Sequence, residues 1–224
     1  MIGHRVGNFE FSRQNYLIFP FLGDEDFKDF RKSMKTHNKK IYLVDSGLSF
    51  NLPYPLTLRP QRGIELYITF DFSSRSSDST PPFRELLLAE KWALLHNVPF
   101  PKIKETAKRS LQDGVKECYV FKEPENPNVP VVIFFPLVNK DFRKFKTPGV
   151  PRETEAEINF GNFDIFDNTN AYAIWRFVYP NLSFDRMTAM MEFNILNNLH
   201  VIKSEMAELV KRKKSFKTKN IPPK

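Results

Sequence analysis

The chain has 224 residues, 41% of them hydrophobic and 27% charged, with a formal net charge of +8 at neutral pH. That balance suits one globular domain with its own core, and a single cysteine, Cys118, excludes an internal disulfide framework and fits a reducing compartment. No run of about 18 apolar residues is present to span a bilayer, and MIGHRVGNFEFSRQ lacks the apolar centre of a signal peptide, so the sequence reads as soluble and cytoplasmic. Much of the positive excess sits in 211-KRKKSFKTKNIPPK-224, read as a disordered, solvated tail. No zinc-ligand spacing and no RNA-recognition aromatic motif accompanies it, so no nucleic-acid partner is expected.

In chain order, residues 1–38 are mixed, with one helical turn at best in 23-GDEDFKDF-30, and stay unassigned. The stretch 41-IYLV-44 reads as a short buried strand that runs into Asp45-Ser46-Gly47. Pro53, Pro55 and Pro60 keep 51-NLPYPLTLRPQRG-63 extended rather than helical, with a turn ending at Gly63. The near-continuous apolar run 64-IELYITFDF-72 predicts a strand buried on both faces. A polar loop, 73–83, leads to a helix over 82–97 with Thr80 as cap and Pro81 in its first turn. Leu88, Trp92 and Leu95 form its buried stripe and Asn97 its stop. A β-hairpin follows, with strands near 117-ECYVF-121 and 131-VVIFFPL-137 joined by the Pro- and Asn-rich 123–130. Residues 140–180 read as loop-rich. Ser183 caps a last helix whose Met187, Met191, Ile195, Leu199, Ile202, Met206 and Leu209 recur every three or four residues, with a kink near Asn197-Asn198.

Few residue patterns here carry chemistry. The four histidines are isolated in sequence, 164-DIFDN-168 lacks the glycine of a calcium loop, and no phosphate-binding glycine fingerprint occurs, so no metal site is expected. Ser49 follows Gly47 as in a hydrolase nucleophile elbow, but Asn51 stands where the second glycine belongs, and Pro53 and Pro55 oppose the helix that must follow. Asp45 stands just past a strand's carboxyl end, where open α/β sheets collect active-site groups. It equally suits an aspartate that stabilises its own turn before Ser-Gly.

The words 43-LVDSGLSFNLPYPLTLRPQRG-63, 69-TFDFSSRSSDSTPPFRELLLAEKWA-93, 98-VPFPKI-103, 116-KECYVF-121, 147-TPGVPRETEAE-157 and 162-NFDIFD-167 occur in this order. Together they closely resemble the C-terminal part of the catalytic domain of the group IV cytosolic phospholipase A2 family, its alpha-type branch in particular. The resemblance implies an α/β fold: part of a patatin-like three-layer α/β/α lipase domain over 39–210, with a truncated central sheet. It also implies hydrolysis of the sn-2 ester of glycerophospholipids by a Ser–Asp dyad, with Asp45 as general base. Leu48, Asn51, Arg59 and Arg62 become candidates for substrate contact, the arginines for a lipid phosphate, although a turn or packing role suits them equally. Lys39 and Lys40 match a basic cluster that faces anionic lipid, which implies peripheral membrane association. No cofactor is expected in this segment, because the family's calcium dependence resides in a separate N-terminal domain. The expected partners are phospholipid, a membrane surface and the upstream half of the catalytic domain. The family's Gly-Leu-Ser-Gly-Ser nucleophile word is not among these residues. The sequence therefore reads as a fragment holding half a dyad, inactive alone, with non-catalytic lipid or partner binding as the alternative.

Overall fold

The computed structural model describes residues 50–110, 112, 114–166, 171–173 and 176–219, with the side chains of residue 110 and those beyond 213 excepted. The strand expected at 41–44 and the turn at 23–30 lie outside them. The described elements are helix α1 (Tyr54–Thr57), strand β1 (Leu66–Asp71), helices α2 (Arg84–Leu95) and α3 (Ile103–Ser110), strands β2 (Tyr119–Phe121), β3 (Val131–Pro136), β4 (Phe145–Thr147) and β5 (Val150–Pro151), and helices α4 (Glu155–Gly161), α5 (Asn181–Asn197) and α6 (Leu199–Lys219).

The main sheet has the order β1-β3-β2. β1 runs parallel to β3, with Ile68 opposite Ile133 and Phe70 opposite Phe135. β2 pairs antiparallel with β3, so the hairpin expected around 123–130 is present. Alternation along the strands then sorts the side chains onto two faces. Val131, Ile133, Phe135 and Leu137 join Met190, Met191, Phe193 and Ile202 in one core with α5 and α6. The opposite face carries Phe134 and Phe121, whose rings pack edgewise or tilted against Phe83 at the start of α2. Tyr54 of α1 lies on that same side, 5.3 Å ring to ring from Tyr67 and 2.6 Å from the Thr69 hydroxyl. Helices thus cover the sheet on both faces. β3, flanked by a strand on each side, is buried along its whole length.

β1 differs from expectation. Ile68 and Phe70 stay about 40% exposed while Asp71 is buried, so the strand is not buried on both faces. The cause is placement: among the described residues β1 is an edge strand, and α5 packs over β3. The Pro-rich stretch is also not extended. Tyr54–Thr57 forms a helical turn with Pro55 near its start, and Pro60–Arg62 forms a 3₁₀ turn closed by Gly63 at φ 57°. A proline in a first turn removes only an N–H that has no helical acceptor, and helices this short consist almost wholly of first turn.

α2 begins at Arg84 with Phe83 at the cap position. Thr80 does not cap it, and its hydroxyl instead meets those of Ser76 and Ser77. The buried stripe is Glu85, Leu86, Ala89, Trp92 and Ala93, while Leu95 is exposed. Asn97 is the stop, at φ 52°. Bonds from Val98 N–H to Ala93 C=O and from Asn97 N–H to Leu94 C=O close a Schellman motif there.

Residues 140–180, expected as loop, hold the β4–β5 hairpin and α4, whose Thr154 and Glu157 make a complete capping box. α5 starts at Asn181 with Pro180 at its cap, so Ser183 lies inside the first turn and caps nothing. The kink expected near Asn197-Asn198 is a break between two helices, and the Asn198 side chain donates to Asn194 C=O at 2.9 Å. α6 continues to Lys219, so 211–219 is helical where a disordered tail was expected.

Candidate active site at the carboxyl end of the sheet

Asp45, Leu48, Lys39 and Lys40 lie outside the described residues. The chain can be followed from Phe50, which is buried, and Asn51. Two bonds pin Asn51. Its backbone N–H donates to Glu85 Oε2 at 2.9 Å, and its side-chain amide donates to Ser73 Oγ at 3.0 Å. Ser73 lies two residues past the end of β1, and its own N–H donates to Asp71 Oδ1 at 2.9 Å. The segment that follows Asp45-Ser-Gly-Leu-Ser is therefore fastened at the carboxyl end of the parallel strands, where α/β sheets place their sites.

Glu85 is the residue that sequence reasoning missed. Its side chain is 2% exposed in the first turn of α2. Besides Asn51, the N–H of Leu52 donates to its carboxylate, and the Arg84 guanidinium stands 2.9 Å away. Burial pushes the Glu85 carboxyl above its usual range, against the opposing pull of those N–H donors and of Arg84. A glutamate at the helix start also meets the positive end of the helix dipole. The one sequence clue was an acid in a first turn whose helical phase points inward with Leu86 and Ala89.

Further polar groups ring the same end of the sheet. Arg75 Nη2 donates to Leu137 C=O at 2.6 Å, just past β3, and its guanidinium lies 5.0 Å from the Phe166 ring centre. Arg143 Nη2 meets Asp78 Oδ2 at 2.9 Å and also donates to Phe163 C=O. Buried Asn139 donates to the carbonyls of Gly161 and Phe163, and buried Asn194 to Val138 C=O. These bonds satisfy main-chain carbonyls where the strands end. They hold the rim of the sheet together.

Arg59 and Arg62 lie elsewhere. Both are exposed, in the 3₁₀ turn that precedes β1, and the Arg62 charge is felt by Tyr67 at the strand's beginning. Asn51 is tied to Ser73 past the strand's far end, and Ser73 stands six positions after Tyr67, roughly 20 Å at about 3.3 Å per residue of extended chain. The structure does not bring Asn51 together with Arg62. Arg59 occupies the cap position of the turn, and its C=O accepts from Arg62 N–H at 2.9 Å. Among the described residues no group of three or more His, Cys, Asp or Glu could hold a metal ion. Cys118, half-buried beside Glu117, has its thiol pushed up to about 12 by burial, which makes it a poor nucleophile.

Among known proteins, residues 24–170 match the model of the lysophospholipase catalytic domain. The chain is 39% identical over 163 residues to human cytosolic phospholipase A2 zeta, covering 73% of this chain and 18% of that protein. Human GIVD cytosolic phospholipase A2 has a similar solved structure, with a TM-score of 0.67 and 28% identity over 75% of this chain and 21% of its own. The same enzyme in complex with methyl gamma-linolenyl fluorophosphonate gives 0.64 over 78% of this chain and 24% of its own. The chain thus spans about a fifth to a quarter of the length of these relatives, and its mixed α/β fold is that of the corresponding part of their catalytic domain. With well over half of its residues inside the matched model, the chain belongs to the lysophospholipase catalytic domain family.

Proposed function

We propose that this chain carries the aspartate of a Ser–Asp dyad that hydrolyses the sn-2 ester of glycerophospholipids. The observation that carries the reading is the Asp45-Ser-Gly word inside the family match, followed within six residues by Asn51, fastened at the carboxyl end of β1. In this reading the Asp45 carboxylate takes the proton from a serine hydroxyl as that oxygen attacks the ester carbonyl. An acyl-enzyme and a lysophospholipid result, and water then releases the fatty acid. The 224 residues hold no Gly-Leu-Ser-Gly-Ser word, and in this reading the serine is supplied by a segment upstream of Asp45 in the family's order. In this reading the chain corresponds to the C-terminal part of a group IV catalytic domain, and the words quoted above resemble its alpha-type branch. The dyad works with a carboxylate and a hydroxyl, and calcium enters in the family through a separate lipid-binding domain.

Leu48 and Asn51 face the substrate in this reading. Lys39 and Lys40 bias the protein toward anionic lipid at the cytoplasmic face of a membrane, each contributing about 1 kcal/mol near such a surface. Arg59 and Arg62, set at the other end of β1, fit a turn role better than a phosphate clamp. The test is hydrolysis of sn-2-labelled phosphatidylcholine in mixed micelles by the purified chain. No release above the uncatalysed rate is expected from the chain alone. Release that survives Asp45→Asn would overturn the assignment. A second reading, lipid binding without hydrolysis, is favoured by the exposed Lys211 on α6, beside Lys213, which pairs with Glu65 at 2.6 Å. Co-sedimentation with vesicles, with and without phosphatidylserine, separates the two.

A further inference from the structure

We propose that the outer face of α6 docks an acidic partner protein, a choice of occupant that rests on the hydrolytic reading of Asp45. From Leu209 to Lys219 the helix carries six lysines and arginines and no acidic residue. Cations in a last turn stabilise a helix through its dipole, but that effect fades within one turn. This run begins at Lys211, about two turns before the end. The two preceding glutamates do not answer it, because Glu205 and Glu208 both bind Lys122, at 2.9 and 2.8 Å. An apolar strip adjoins the cations. Met206 and Val210 are 53% and 51% exposed, and Ala207 beside them is exposed as well. Spacings of three and four set Lys203, Met206, Ala207 and Val210 on one side of the helix. Arg62 adds charge at the same end of the molecule: Lys213 Nζ meets Glu65 Oε2 at 2.6 Å, and exposed Arg62 stands three residues before Glu65.

Position and chemistry select the occupant. Glu65 precedes β1 and Ser73 follows it, so the basic part of α6 meets the sheet at its amino end while Asn51 is fastened at the carboxyl end. Eight positions of extended chain separate the two, roughly 26 Å at about 3.3 Å per residue. Phospholipid meets the dyad at the carboxyl end, and at physiological salt charges are screened over about 8 Å. The α6 cations therefore add nothing to the hold on that lipid and face another partner. A second copy of a chain with net charge +8 would bring cations to cations. Nucleic acid would offer phosphates to the lysines but no apolar surface to Met206 and Val210. An acidic protein supplies both, an apolar groove for one helix face and carboxylates along its rim.

The test titrates the intact chain into a fluorescein-labelled acidic peptide of about 20 residues, glutamate with leucine recurring every three and four positions, and reads fluorescence anisotropy at about 0.15 M salt. Saturable one-to-one binding is expected. Arg62→Gln, Lys203→Gln and Lys211→Gln together should weaken it at least about tenfold. Met206→Ser with Val210→Ser should weaken it at least about threefold. All five positions are exposed, so the urea midpoint should stay in place. Lys104→Gln, Lys108→Gln and Arg109→Gln together remove the same charge from the exposed side of α3 and should change affinity less than about twofold. The proposal falls if the peptide does not bind, or if the serine pair has no effect. It falls equally if the α3 variant binds as weakly as the α6 one, which signals attraction by net charge alone. Phosphatidylserine vesicles or single-stranded DNA, bound more tightly than the peptide through the same residues, would also overturn it, since the occupant is then lipid or nucleic acid. Asp45→Asn separates the two claims. It should leave the peptide titration unchanged and abolish hydrolysis in a domain that supplies the serine, so a silent titration sinks the docking face and spares the dyad.

Discussion

Replacing Glu85 by alanine tests how the segment after Asp45 is held. The wild-type carboxylate accepts from Asn51 N–H at 2.9 Å and from Leu52 N–H while almost wholly buried. A hydrogen bond to a charged group contributes about 1.5–3 kcal/mol, and a buried N–H left without an acceptor costs about 1–3 kcal/mol. Leu52 is buried and Asn51 exposed, so one N–H is stranded while the other turns to water. Relief of carboxylate desolvation, the largest influence on Glu85, offsets part of the loss. The balance is a destabilisation of about 2–3 kcal/mol, seen as a urea midpoint lower by about 1 M. Amide hydrogen exchange should accelerate first at residues 51 and 52. Glu85→Gln keeps one acceptor oxygen and turns an N–H₂ toward a donor, so an intermediate loss is expected. Its pH dependence has a definite sign. The folded-state carboxyl titrates above its ordinary 4.5, so the wild-type advantage over glutamine is full below about 4.5 and shrinks as pH rises through the raised value. An alanine variant within about 0.5 kcal/mol of wild type, with exchange at 51–52 unchanged, would refute the reasoning.

Other expectations can be checked by the same unfolding measurements. Glu157 is held down to about 2, first by the N–H of Glu153 and by Lys146 and then by the N–H of Thr154. Its contribution should be complete above about 4.5 and vanish as pH falls toward 2, so Glu157→Gln and wild type converge in acid. Thr154→Ala removes the reciprocal half of the capping box and should cost about 1 kcal/mol. Gly161→Ala would set a Cβ against the Arg152 guanidinium and 2.9 Å from Phe142 C=O. Arg152 must then leave its bonds to the carbonyls of Phe142 and Glu157, a loss of about 2–3 kcal/mol. Asn97→Gly at φ 52° should stabilise by a few tenths of a kcal/mol, and Asn97→Val should destabilise by more than about 1 kcal/mol.

How much of this was legible depends on the range of the interaction. The β2–β3 hairpin and the Asn97 stop are local, and sequence reading found both. The Thr154-x-x-Glu157 cap was equally local, but Pro and Gly nearby masked it. The Pro53–Pro60 stretch misled because proline forbids a helix interior, whereas these helices have none. What no window shows is the parallel pairing of β1 with β3 across some sixty residues. That pairing determines which strand is buried and leaves Ile68 and Phe70 at an edge. It also sets Asn51 and Arg62 at opposite ends of one strand, though eleven residues separate them in sequence. Glu85 was hidden for the same reason: its partner lies 34 residues away.

In the proposed dyad, Asp45 is the base for a serine carried elsewhere in the domain. The decisive assay is a chimaera in which the matched 163-residue part of this chain replaces its counterpart in human cytosolic phospholipase A2 zeta, tested for fatty acid release from sn-2-labelled phosphatidylcholine. Measurable release is expected, and Asp45→Asn should lower it by at least about 10³-fold while the chimaera stays folded. Release undiminished by Asp45→Asn would contradict the dyad.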